Sequence, residues 1–292
     1  MDSVHLSGGI NRSCITMNKI GNLFRSSKRQ QGEGSSSGSR ASRNSKLDIV
    51  SARRVMPTRW VDHNFLTAAG LKEDFDLMCS RSGLAVISFA SDNTYAKLTH
   101  EFLSSFYDDH KEKGNMCTIS FTMNRQHYEI NFEHFCNAFS LPHTREPNIT
   151  NLYSVTSGTT WEVISVNGGR HFYQKKMSTI QNPTVCYYAM FLANTLLGRG
   201  DTGSMANADM AMITKALFPT SPQSPSPAAL LIQNFRHQSN KTKGDIRIGG
   251  IVTHLAYVLN VVLPVMEPID GSKLMDIKYL TACGLLGVYH AN

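Results

Sequence analysis

Apolar residues recur at helical spacing along most of the chain beyond residue 59. Leu71, Phe75 and Met78 share one face of a helix predicted from Leu71 to Arg81, with Gly83 as its stop. Tyr95, Leu98, Phe102, Leu103 and Phe106 mark a second helix from Thr94 to Tyr107, for which Asp92 or Asn93 is the cap. Asp62 is placed to cap a shorter helix covering Asn64 to Ala69. The period then falls to two. Met116 to Met123 and Gln126 to Ile130 alternate on either side of Asn124-Arg125, which predicts a β-hairpin. Asn131 caps a short helix from Phe132 to Phe139 that Leu141-Pro142 ends. His143 to Arg170 is irregular, broken by Pro147, Gly158, Gly168 and Gly169, with a short helix near Thr160 to Ile164 that sets Trp161 into a core.

The clearest helix follows. Asn182 is a capping residue, Pro183 occupies the first helical position, and Val185, Tyr188, Ala189, Leu192, Leu196 and Leu197 repeat at three- and four-residue steps until Gly198 and Gly200. Another helix begins at Asn207 or Ala208 and runs to Phe218. Pro219 to Pro227 carries four prolines and reads as a stiff, exposed linker or insertion. Ala228 to Gln238 is helical, Lys241 to Gly250 forms a turn, and Ile251 to Leu259 is a late helix. Ile277 to Val288 is apolar and contains glycine. The pattern predicts a mainly α fold: an irregular multi-helix domain with one small β-hairpin over residues 57–292, preceded by a disordered basic N-terminal arm over residues 1–56.

Charge sharpens that boundary. Residues 1–59 carry 11 Lys/Arg against 3 Asp/Glu, whereas residues 60–292 carry 18 against 19. The net charge of +7 therefore belongs to the leading segment, not to the surface of a basic domain. Ser26 to Ser45 has no aliphatic or aromatic side chain larger than alanine and cannot bury enough surface to offset the entropy of ordering. Arg25, Lys28, Arg29, Arg40, Arg43, Lys46, Arg53 and Arg54 are candidate contacts for RNA or DNA, or a nuclear-targeting arm. A solvated leader or a gene-model extension is the alternative, because the charges are spaced rather than clustered. Cys14, Cys79, Cys117, Cys136, Cys186 and Cys283 form no C-x-x-C pair, and several lie in apolar stretches, as reduced thiols of an intracellular protein do. Met1 to Ile10 lacks the apolar segment of a signal peptide, and the stretch Ile251 to Val265 is interrupted by His254, Asn260 and Pro264. The location expected is nuclear or cytoplasmic, with no membrane partner.

Asp201-Thr202-Gly203 is the tripeptide of retroviral-type aspartic proteases, in which two such loops meet so that two carboxylates share a proton. That chemistry needs an apolar strand running into the Asp. Here Gly198-Arg199-Gly200 precedes it, a helical pattern comes before, and Ser204 to Asn207 leads into another helix, so a helix–helix loop is expected. Arg199-Gly200-Asp201 spells an adhesion tripeptide with no sign of secretion. No zinc spacing occurs. His127, Glu133, His134 and Cys136 lie close in sequence but read as hairpin and helix surface. Gly168-Gly169-Arg170 and Gly249-Gly250 lack the phosphate-loop pattern. Arg236, Lys241, Lys243 and Arg247 are expected at a solvated helix end rather than on an anionic partner, and Tyr187, Tyr188 and Phe191 in the core rather than stacked on bases. No cofactor, metal or small-molecule substrate is expected.

Taken together, several segments carry a family likeness: Trp60-Val61-Asp62-His63, the helix Tyr95 to Leu103, the hairpin Ile119 to Phe132 with Phe135 to Pro142, Asn182-Pro183, Leu192 to Thr195, Gly198 to Asp201 with Asp209, and Ile246 to Thr253. With these the chain resembles the protein from the first open reading frame of Athila-type plant retrotransposons, and the related plant transposon protein domain, over roughly Arg53 to Val262. The resemblance implies a mobile-element-derived, gag-like protein with no established activity and no catalytic positions to carry over. It leaves Asp201 a loop variant, since the family shows no consistent Asp-Thr-Gly. The function expected is non-enzymatic, through self-association or interaction, with nucleic-acid binding by the arm as the alternative and proteolysis through Asp201 as a remote one.

Overall fold

The structure is a computed structural model that describes residues 46–143, 157–166, 175–219, 225–263, 267–271 and 273–285. Several of its helices start where polar side chains take up orphan backbone N–H groups. Residues 46–51 form α1. Asp62 accepts the Phe65 N–H at 3.0 Å and opens α2 (His63–Ala68). After α3 (Lys72–Ser82) the chain reverses through Gly83 at φ +79° into the short α4 (Ala85–Ser88). Helix α5 (Ala96–Ser105) takes Tyr95 as its N-cap without a side-chain bond. The expected caps are engaged elsewhere: Asp92 Oδ2 meets His254 Nδ1 at 2.8 Å, and Asn93 Oδ1 accepts from Lys273 Nζ.

The hairpin is present and carries a third strand. β1 (Tyr107–Asp108) follows α5 directly, because Phe106 already has extended backbone; the single turn α6 (His110–Lys113) comes next. β2 (Thr118–Met123) and β3 (Gln126–Asn131) pair antiparallel in the order β1-β2-β3. Asn124 and Arg125 both have positive φ, 49° and 63°, the backbone a two-residue type I′ turn requires. Asn131 then caps α7 (Phe132–Ala138) through the His134 N–H at 2.8 Å.

The second half is helical. α8 (Ser157–Ile164) buries Trp161. Asn182 accepts the Thr184 and Val185 N–H groups to start α9 (Pro183–Phe191), which continues into a π-helical turn over Leu192–Leu196. Every side chain from Thr184 to Leu196 is buried, so α9 is the apolar axis of this half. Next come α10 (Asn207–Leu217), α11 (Pro227–Asn240), α12 (Gly249–Val258) and α13 (Ile277–Ala282). The core has two aromatic centres. Phe102 of α5 meets Phe121 of β2 and Phe235 of α11, the Phe102 and Phe235 rings 4.9 Å apart, and Phe106, just past α5, also meets Phe235. Phe75 of α3 meets Tyr187, Tyr188 and Phe191 of α9 edge-on at 5.5–6.2 Å. Each such ring pair adds about 0.5–1.5 kcal/mol beyond its area.

Two expected boundaries move. Residues 46–56, assigned to the arm, belong to the fold: Val50 and Val55 are buried, and Val55 bridges Ile246. The proline-rich stretch from Pro219 to Pro227 is not exposed at its far end. Pro225, Ser226 and Pro227 are buried, Ser226 Oγ caps α11, and Lys215 Nζ donates to the Pro225 carbonyl at 2.8 Å. Residues 1–45, 144–156, 167–174 and 220–224 lie outside the described residues, and with them most of the arm, the Gly168-Gly169-Arg170 segment and the centre of the proline run.

Candidate functional site

The loop between α9 and α10 holds both the protease-like tripeptide and most of the family-like residues. Gly198 turns the chain out of the π-helical turn at φ +55°, and a Cβ there would stand 2.3 Å from Ile248 Cγ2, so only glycine fits. Arg199 N–H then donates to the Ala193 carbonyl at 2.8 Å, and its guanidinium crosses the loop. Nη1 donates to the Ser204 carbonyl at 3.1 Å and Nη2 to Asp209 Oδ2. The same Oδ2 accepts the Ala206 N–H at 2.7 Å, so Asp209 back-caps α10 from its third position. On the outer side Met177 N–H and the Gly203 carbonyl, and Met205 N–H and the Lys175 carbonyl, clip the loop to residues 175–177.

Asp201 sits at the exposed tip. Its Oδ1 accepts the Gly203 N–H at 2.9 Å, closing a local turn of the kind Asp favours. The residues before it come from a helical turn and those after it enter α10, so the strand-to-loop setting of an aspartic protease is replaced by a helix–loop–helix, as the flanking glycines predict. Asp209 differs. Its side chain has no exposure, and burial pushes its pKa up to about 6 against the opposing pull of Arg199 and the Ala206 N–H. Asp209 Oδ1 and Arg199 Nε have no hydrogen-bond partner among the described residues. A cleft of about 400 Å³ opens beside this pair, between Arg199 and Asn207 on one side and Gln233, His237 and Lys241 on the other. Burial lowers the pKa of both His237 and Lys241, with nearby cationic charge acting in the same direction. Among the described residues the cleft's polar lining consists of amides, the Arg199 and Lys241 cations and the His237 imidazole, without a carboxylate or thiol.

The other candidates resolve into architecture. Cβ atoms at Gly249 and Gly250 would lie 2.4 Å from Thr94 Cγ2 and 2.7 Å from Trp60 Cζ2, so this pair lets α12 pack closely rather than cradling phosphate. Tyr187 O–H donates to the Met275 carbonyl and accepts the Asp62 N–H, and Tyr188 and Phe191 are buried, which places the α9 aromatics in the core. Arg236 binds Asp108 with two nitrogens, and Arg247 binds Asp245 at 2.9 Å, while Lys241 and Lys243 are exposed, so the cation set divides between structural pairs and a solvated helix end. Of His127, Glu133, His134 and Cys136, only the thiol is buried, and burial pushes it up to about 12. Among the described residues no group of three His, Cys, Asp or Glu could hold a metal ion, and no helix is long and apolar enough to cross a membrane.

Of the proposed nucleic-acid contacts, Arg25, Lys28, Arg29, Arg40 and Arg43 lie outside the described residues. Arg54 is exposed, and Lys46 Nζ donates to the Phe106 carbonyl at 3.2 Å. Arg53 is withdrawn from the set. Its buried guanidinium donates to the carbonyls of Gln238, Lys241 and Gly244 and to Gln238 Oε1, satisfying the open end of α11. Sequence reading placed Arg199 and Asp209 in the family pattern but not in a pair. The available signal was an acidic residue at the third position of α10 behind a loop arginine.

No curated protein and no solved structure matches the chain. The model of the ATHILA ORF-1 family matches residues 33–220, which takes in the hairpin, α9, the Gly198–Asp209 loop and α10. With that match over more than half of its length, the chain belongs to the ATHILA ORF-1 family of plant retrotransposon proteins.

Proposed function

We propose that the chain is a non-enzymatic, gag-like protein that acts by self-association. The supporting observation is how its signature loop is used. Gly198, Arg199 and Asp209 hold the α9–α10 junction, and Asp201 closes its own turn, so the residues that most resemble a catalytic tripeptide serve architecture. Sedimentation velocity on the full chain tests the reading: species that grow with concentration are expected, and a lone monomer at tens of micromolar sinks it. A peptide-cleavage assay at acid pH bears on the enzyme alternative. Wild type and Asp201→Asn are expected to be equally inactive, and cleavage lost in the variant would reverse the assignment.

A second reading, nucleic-acid binding through the leading segment, is favoured by the segregation of charge, with 11 Lys/Arg against 3 Asp/Glu before residue 60. Neutralising Arg25, Lys28, Arg29, Arg40 and Arg43 to Gln is expected to lower the salt slope of RNA binding by about four. An unchanged slope would remove the arm from the interface.

A further inference from the structure

The outer strand of the sheet is the surface that the assembly reading leaves unassigned. The register fixes where its backbone points. Across a two-residue turn Met123 and Gln126 exchange both main-chain bonds, and antiparallel alternation makes Phe121–Tyr128 and Ile119–Ile130 the other bonded pairs. The intervening residues of β2 point away from β3: the Thr122 N–H goes to Ser105 Oγ at 2.8 Å, and Ser120 pairs with Tyr107 of β1. On β3 the counterparts are His127 and Glu129. Their N–H and C=O groups face outward, with no partner among the described residues. Both side chains are exposed, whereas Tyr128 stacks on Phe121 and Ile130 is buried on the opposite face. The strand has six residues and contains no proline, lysine or glycine, the usual devices that blunt a free edge.

We propose that a second copy of the chain adds to this edge, antiparallel about a two-fold axis at Tyr128, joining two three-stranded sheets into one. The proposal rests on the self-association reading and names its surface. The edge is self-complementary in that register. His127 of each copy lies opposite Glu129 of the other, so a hydrogen bond or ion pair forms twice on the solvent face, and the outward backbone groups of the two residues satisfy one another. Moving the axis to Glu129 sets two carboxylates face to face; moving it to His127 sets two imidazoles face to face and brings Glu129 opposite Arg125, whose φ of 63° takes the backbone out of the strand, so charge and strand length together select the axis at Tyr128. Edge pairing covers little area, so the contact is weak and reversible.

Sedimentation velocity on the full chain, from about 1 to 200 μM, tests it. His127→Glu faces two carboxylates across the axis twice and is expected to weaken association about tenfold. The double variant His127→Glu with Glu129→Lys restores opposite charges and is expected to return association to within about threefold of wild type. His127→Pro removes an outward N–H that the β2 ladder does not use and is expected to abolish association, with thermal unfolding confirming that the fold persists. Wild type that associates while His127→Glu leaves it unchanged overturns the edge and spares the self-association reading. Loss in the double variant as deep as in the single overturns the register. A wild type that stays monomeric sinks the self-association reading itself. If that monomer also shows shifts at the His127 and Glu129 amides on adding an unrelated extended peptide, the edge belongs to a foreign strand.

Discussion

Among the described residues two arginine–aspartate pairs have a fully buried carboxylate, and they are built differently. In each the aspartate side chain has no exposure and the arginine keeps about a fifth of its surface, 20% for Arg236 and 23% for Arg199. Asp108 uses both oxygens. Oδ2 accepts Arg236 Nε at 2.9 Å, while Oδ1 accepts Arg236 Nη2 and the His110 N–H. Asp209 uses one, with Oδ2 taking both bonds, and among the described residues neither Oδ1 nor, on the other side, Arg199 Nε has a partner. A forked, fully bonded pair recovers most of what burial costs its charges, and a single-oxygen pair does not. The first is a rivet between the sheet and α11. The second is a joint at which a proton is held more tightly than usual.

Matched substitutions separate the two. Asp108→Asn turns an amide N–H₂ toward the Arg236 fork and is expected to lower unfolding free energy by about 3 kcal/mol in urea titrations. Asp209→Asn keeps an acceptor for Arg199 and Ala206 and is expected to stay within about 1 kcal/mol of wild type at pH 7. Equal losses would erase the distinction. Gly198→Ala asks whether packing, rather than the ion pair, fixes the second site. With φ at +55° and Ile248 Cγ2 2.3 Å away, a loss of about 2–3 kcal/mol is expected, and a neutral result would show that the loop yields.

Protonation sharpens the contrast further. Asp209 has its ordinary pKa of 3.8 raised to about 6 by burial. Between those values the folded chain holds a proton that the unfolded chain has lost, so the stabilisation is full below about pH 4 and disappears as pH rises through 6. From pH 4 to 7 the stability of wild type relative to Asp209→Asn is expected to fall by on the order of 2–3 kcal/mol, and a flat difference would refute the joint. The smallest effect is at the tip. Asp201→Asn keeps the bond to the Gly203 N–H and is expected to change stability by less than about 0.5 kcal/mol.

Local chemistry made much of this fold legible. Asp62, Asn131 and Asn182 cap the helices they were expected to cap, and Asn124-Arg125 turns the hairpin, because each acts within a few residues of itself. What stayed hidden depends on distant partners. β1 is two residues long, and Phe106 just before it continues the apolar period of α5, so nothing local separates it from the helix. Residues 46–56 look solvated until α11 and Ile246 arrive to receive Arg53 and Val55. The long helix predicted from Pro183 changes at Leu192, where a wider turn lets Thr195 Oγ1 reach the Arg59 carbonyl and Asn194 meet Tyr279 O–H. The ion pair at Asp108 joins β1 to α11, which spacing alone cannot bring together.

The stitching of the first described segment to the last has a consequence for how the chain is made. Met56 N–H and the Ile246 carbonyl, Trp60 N–H and the Lys273 carbonyl, and Met275 N–H and the Trp60 carbonyl bond across nearly the whole domain. A nascent chain leaving the ribosome therefore carries the main-chain groups of Met56 and Trp60 without these partners until residues 246 and 273–275 have emerged. The stretch that matches the family, 33–220, lacks α11, α12 and α13. A truncated element copy ending there would inherit the family signature without the parts that close the fold.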